Sequence, residues 1–181
     1  MRTATVFVLG LWIGATVAVL GVVGYSFPGI DRALASNAGL EKGIGFDRHD
    51  TAAKKVSVPW VVVGELNRHY FVGFNRAQLG LAVVALALSW RRRRSFGFVL
   101  IALAALAAVV LTFHLAPEIT DRGRALDFVP RDPPPQGQAG FEAYHDVYTG
   151  LEAVKTVFLV VAAVLTARRS RGAVAACATP D

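Results

Sequence analysis

Six side chains hold most of the chemistry available in the apolar stretches of this sequence: Asn75, Arg76, Gln78, Tyr148, Glu152 and Lys155. Ionisable groups in such surroundings are costly, and they face a bundle interior or a wet cavity. At 1.5 Å per helical residue, Arg76 counts to about 21 Å before Trp90, while Glu152 and Lys155 count to about 22 and 18 Å before Ala167. The residues therefore share one layer if both segments are helices ending at the same level. Glu152 and Lys155, three apart, can neutralise each other on one helix, with Asn75 and Gln78 hydrogen-bonding across helices. The same set can also form an outward-facing polar cluster in which Glu152 with Arg76 or Lys155 contacts a small solute or a proton. On a helical projection His145, Thr149, Glu152 and Thr156 fall within about 60° of one another, with Tyr148 and Lys155 on one flank. Asn75 and Gln78 share a face, but Arg76 lies about 100° from Asn75, at the cluster's edge or reaching out to lipid headgroups.

A second constellation consists of His114 and Glu118, four apart, which with His145 supply ligand types suited to a divalent metal. His114 and His145 are also the pair that a haem b would use, although they count to different depths, about 28 and 33 Å. The simpler role for both histidines is to meet water or cap carbonyls at helix ends. No phosphate-binding glycine loop, zinc-type cysteine cluster or serine elbow is present in the sequence. These observations favour a chain with no cofactor and no catalytic residues.

The elements that must position these residues follow from how charge is distributed. The chain has 181 residues, 54% hydrophobic and 18% charged, with nothing charged between Arg2 and Asp31 or between Arg94 and Glu118. A helix needs about 20 mainly apolar residues to cross a hydrocarbon core. Both intervals are long enough, and two further spans must each include ionisable residues. The expected architecture is an all-α, single-domain, integral membrane four-helix up-down bundle. Its spans fall at about 5–26, 70–90, 95–115 and 144–167, with outer loops 28–58 and 118–140 and a tail 168–181. Arg2, Arg91 to Arg94, Arg168, Arg169 and Arg171 then share one side, which the positive-inside rule makes cytoplasmic together with both termini. The expected location is the plasma (inner) membrane. The net charge of +6 reads as topology facing anionic lipid, so the expected partner is the bilayer, with a membrane protein or a second copy beside it and no nucleic acid. The single cysteine, Cys177, excludes an internal disulfide. The first span is too long for a cleaved signal, and it is expected to stay as a helix.

Phe27, Pro28 and Gly29 are expected to end the first helix, and Pro117 the third. Gly10, Gly14 and Gly21 form a smooth stripe on which another helix can pack. The loop after the first span can hold a short surface helix. Residues 60–71 read as an interfacial helix or as an extension of the second span, with Gly64 and Gly73 as possible bends. Pro133, Pro134 and Pro135 mark an extended linker, and the last helix is expected to begin near Phe141.

Trp12 among glycines, the segment Gly64-Glu65-Leu66-Asn67-Arg68-His69-Tyr70-Phe71, the exit Leu115-Ala116-Pro117 and the spacing of Phe141 to His145 together resemble the small four-helix membrane proteins similar to transmembrane protein 205. The resemblance covers most of the chain. It implies a four-helix membrane fold and no established reaction. The function expected is that of a non-catalytic structural or accessory membrane protein. The alternatives are a transporter or binding protein for a small solute, proton or metal ion, and a haem- or metal-dependent redox protein.

Overall fold

The computed structural model describes residues 2–36, 58–130 and 133–177, with the backbone alone for 34 and 169–177. The expected surface helix in the first loop falls in 37–57, outside the described residues. Among the described residues every regular element is helical. Helix α1 is Arg2–Ser36, α2 is Val58–Ser89, α3 is Phe96–Ala125 and α4 is Gln138–Cys177. Helix α1 packs on α2 and α4, and α3 packs on the same two, leaving α2 and α4 facing each other across a diagonal. Arg2, Arg91, Arg92 and Thr166 line one cavity of about 200 Å³, so the start of α1, the α2–α3 turn and the end of α4 lie at one end. Phe27, Trp60, Ile119 and Phe141 line another cavity at the opposite, loop-bearing end.

All four helices are long and apolar enough to cross a membrane. Their outward surfaces are apolar too: Phe7 is 71% exposed and Phe113 70%. A surface of that kind suits hydrocarbon better than water. The core is dominated by small residues, with Ala82, Ala85, Ala104, Ala108 and Ala162 allowing close helix approach around Leu9, Trp12, Ile101 and Leu159.

Three local expectations need correction. Helix α1 does not stop at Phe27 but runs through Pro28 to Ser36. Proline removes one ladder bond, costing about 3 kcal/mol in a helix interior. Packing on both sides holds the turn: the Phe27 ring lies 4.6 Å from that of Trp60, and Asn67 Nδ2 donates to Ser26 Oγ at 2.8 Å. Pro117 does not end α3 either. A π-helical turn at Leu111–Leu115, closed by the Ala116 N–H on the Leu111 carbonyl, restarts the ladder so that Pro117 falls in the first turn of Ala116–Ala125. A missing N–H is tolerated in that position.

The glycine stripe of α1, in turn, is not its packing face within the chain. Thr5, Leu9, Trp12 and Thr16 are buried, whereas nothing lies within 4 Å of a side chain built at Gly10, Gly14 or Gly21. At 100° per residue those glycines stand roughly opposite Trp12, and burying the large ring turns them outward.

Residues 58–71 are an extension of α2, unbroken at Gly64 and Gly73. The 32 residues of α2 reach about 48 Å. Its buried face, Asn67, Phe74, Asn75, Gln78, Ala82, Ala85 and Ser89, keeps a three- and four-residue rhythm down the whole helix. Ser95 caps α3 by accepting from the Phe98 N–H at 3.3 Å. After α3, Leu126 is buried and Phe128 takes φ 58°, a left-handed conformation that favours glycine. Helix α4 begins a turn's length before Phe141 and continues beyond the expected end at Ala167.

Candidate functional site

Mid-bundle, α1, α2 and α4 each contribute a polar or amphipathic side chain to one buried point. Lys155 on α4 is 0% exposed and Glu152, one turn before it, is 3% exposed. The two meet at 2.6 Å between Nζ and Oε2. The Lys155 ammonium also donates to Gln78 Oε1 on α2, and it sits 5.3 Å from the Phe74 ring and 5.8 Å from the Trp12 ring. Trp12 Nε1 on α1 donates to the same Gln78 oxygen at 3.4 Å. The Gln78 amide nitrogen then donates to Asn75 Oδ1 at 2.8 Å, and Tyr148 OH donates to that oxygen at 3.1 Å. Helix α3 joins through Thr112, whose hydroxyl bonds its own helix at Ala108 O and lies 3.4 Å from the Asn75 carbonyl.

One hydrogen-bonded network therefore ties α1, α2 and α4 together, with Thr112 of α3 packed beside it. The ammonium is surrounded by what a buried cation requires: a carboxylate, an amide oxygen and two aromatic faces. Three atoms here, Asn75 Nδ2 and both Glu152 carboxylate oxygens, are buried with no hydrogen-bond partner, and of these only Oε2 has the ion pair with Lys155. Groups of that kind in a low-dielectric interior cost about 1–3 kcal/mol each.

Five of the six residues expected in the intramembrane cluster are brought together here. The sixth, Arg76, is exposed on the outer face of α2, as its angular offset from Asn75 allows. The polar stripe expected on α4 is split. His145 and Thr149 are exposed, and the buried line runs instead through Tyr148, Glu152, Lys155, Leu159 and Ala162. The Thr149 and Thr156 hydroxyls donate to carbonyls four residues back in α4.

The expected metal set is not assembled. His114 is exposed, Glu118 is paired with Arg122 at 3.1 Å, and the His145 ring lies 6.0 Å from that of Phe141. No cluster of three His, Cys, Asp or Glu side chains suited to a metal ion occurs among the described residues. Among the described residues, then, His114, Glu118 and His145 do not form a three-residue ligand set for a divalent metal.

Sequence reasoning gave no role to Trp12, Asn67, Arg68, Thr112 or Asp127. Arg68 forms a two-pronged pair with Asp127 at 2.7 and 2.9 Å and also meets Glu65 at 2.8 Å. Arg124 reaches the other Glu65 oxygen at 2.7 Å. The signal available in the sequence was the spacing of three between Glu65 and Arg68, which predicts a pair on one helix. Nothing local indicates Asp127, which the turn at Phe128 delivers. No protein family, curated protein or solved structure matches this chain.

Proposed function

We propose that this chain is a multi-pass protein of the plasma (inner) membrane, with both ends cytoplasmic and a non-catalytic structural or accessory role. The observation that carries this reading is the Lys155–Glu152–Gln78–Trp12 network: it is fully enclosed, ties the helices to one another, and presents no nucleophile or metal set to a substrate. Four spanning-length helices support membrane residence, and the arginines grouped at one end support the orientation. The outward glycines of α1 offer the smoothest surface for a partner helix, from another membrane protein or a second copy. A second reading, a proton or small-solute carrier, draws on the partnerless Glu152 Oε1 and Asn75 Nδ2.

Two measurements test this proposal. With a membrane-impermeant maleimide, Cys177 in the native chain and an Arg93→Cys variant in a Cys177→Ser background should label only after the cells are permeabilised. Labelling of the Arg93→Cys variant in intact cells overturns the orientation. Purified protein in sealed liposomes should show proton and cation flux at the level of empty liposomes. Flux that disappears in a folded Glu152→Gln variant establishes the carrier reading instead.

A further inference from the structure

The cavity at the loop-bearing end is chemically separate from the mid-bundle network, and its own polar atoms are unequally matched. Its volume of about 430 Å³ falls in the range of small-molecule pockets, about 300–1,000 Å³. The walls are apolar and aromatic, including Phe27, Trp60 and Phe141 from three different helices. Among them lies Asn67, only 6% exposed. Its orientation is fixed by a neighbour: the Ser26 hydroxyl donates to the Val23 carbonyl at 2.7 Å, so toward Asn67 it can only accept, and it does so from Nδ2 at 2.8 Å. The amide must therefore leave Oδ1 for another donor, and that oxygen has none. Gln138 repeats the pattern, its nitrogen given to Glu142 at 2.8 Å and its buried oxygen without a partner.

Charge in the cavity leans the same way. The Arg68 guanidinium is occupied by Asp127 and Glu65. Arg122, close by on α3, is occupied by Glu118 and by the Tyr144 ring, 4.3 Å away. Glu142 and Asp146, one turn apart on α4, line the cavity and meet no cationic side chain among the described residues. An acceptor-rich or anionic guest would find orphan oxygens and two carboxylates. A guest with a positive group on an aromatic body would instead balance the carboxylates, stack on the rings and sit beside amides whose oxygens lack donors.

We propose that this cavity is a binding site for a small amphiphilic organic cation, with the Asn67 side chain in its wall and Glu142 and Asp146 as its counter-charges. The site is independent of the role assigned to the bundle and stands or falls separately. The test uses the full chain purified in detergent, with ethidium as the probe read by fluorescence anisotropy. Saturable binding at one site per chain is expected, displaced by tetraphenylphosphonium and not by the anion anilinonaphthalene sulfonate. Asn67→Leu and Asp146→Asn should each weaken binding at least tenfold. Asp146 is exposed, so its variant keeps the wild-type unfolding temperature and remains informative if Asn67→Leu does not fold. Absence of saturable ethidium binding, wild-type affinity in the Asp146→Asn protein, or displacement by the anion as effectively as by the cation overturns the proposal.

Discussion

Lys155→Met alone should cost the fold about 3–5 kcal/mol, the usual penalty for stranding one member of a buried ion pair. The variant leaves a carboxylate that is 3% exposed, with one oxygen already partnerless and the other deprived of its 2.6 Å contact. It also leaves Gln78 Oε1 with only the 3.4 Å contact from Trp12. Changing Glu152→Gln in the same chain removes the stranded charge, so the double variant should recover most of the loss and lie within about 1–2 kcal/mol of wild type. The difference between the single and double variants is the informative quantity, because only coupling between the two sites produces it. Thermal unfolding in a single detergent provides the measurement. A Lys155→Met protein as stable as wild type would mean that the Lys155 contacts do not hold α4 to α2, and the architectural role would be lost.

The second large effect is expected at Trp12. The ring is completely buried, packs among Leu9, Ala82, Ala85 and Leu159, and lines one side of the Lys155 ammonium. Trp12→Ala should destabilise the protein by about 3–5 kcal/mol, because α-helices already spaced by alanines have little room to collapse into the void. Trp12→Phe separates packing from hydrogen bonding. It retains most of the volume and an aromatic face while removing the donor to Gln78, and should cost only about 1 kcal/mol. Equal losses in the two variants would show that the N–H, and not the ring, is what matters. Both follow from unfolding curves of the same preparation.

The parts of this architecture that could be read from sequence are those governed by counting. Depth along a helix depends only on residue number, so Gln78, Glu152 and Lys155 could be placed in one layer before any helix was seen, and the diagonal of a simple bundle then brought them together. Rotation about the helix axis was harder. Arg76 shares the depth of its neighbours but stands off their face, and the angular offset that excludes it was visible yet left two outcomes open. On α1 the glycine stripe was the plain pattern, and the single tryptophan on the opposite side was what determined the rotation. The ends of helices were least legible, because Pro28 and Pro117 are breakers only where the backbone has nothing else to lean on. The Phe27–Trp60 contact and the wide turn before Pro117 depend on residues far away in sequence or on a ladder register that no local pattern encodes. Asp127 meets Arg68 across 59 positions, and no spacing rule reaches that far.

Two groups of ion pairs among the described residues differ in how far water and dissolved ions can approach them. Arg68, Glu65, Arg124 and Asp127 lie at the solvent-facing mouth of the molecule, and the exposed members are within reach of counterions whose atmosphere decays over about 8 Å at physiological strength. Lys155 and Glu152 have no surface on which such an atmosphere could form. Raising ionic strength is therefore expected to weaken the exposed Arg124–Glu65 contact first, the half-sheltered Arg68–Asp127 pair less, and the enclosed Lys155–Glu152 pair least.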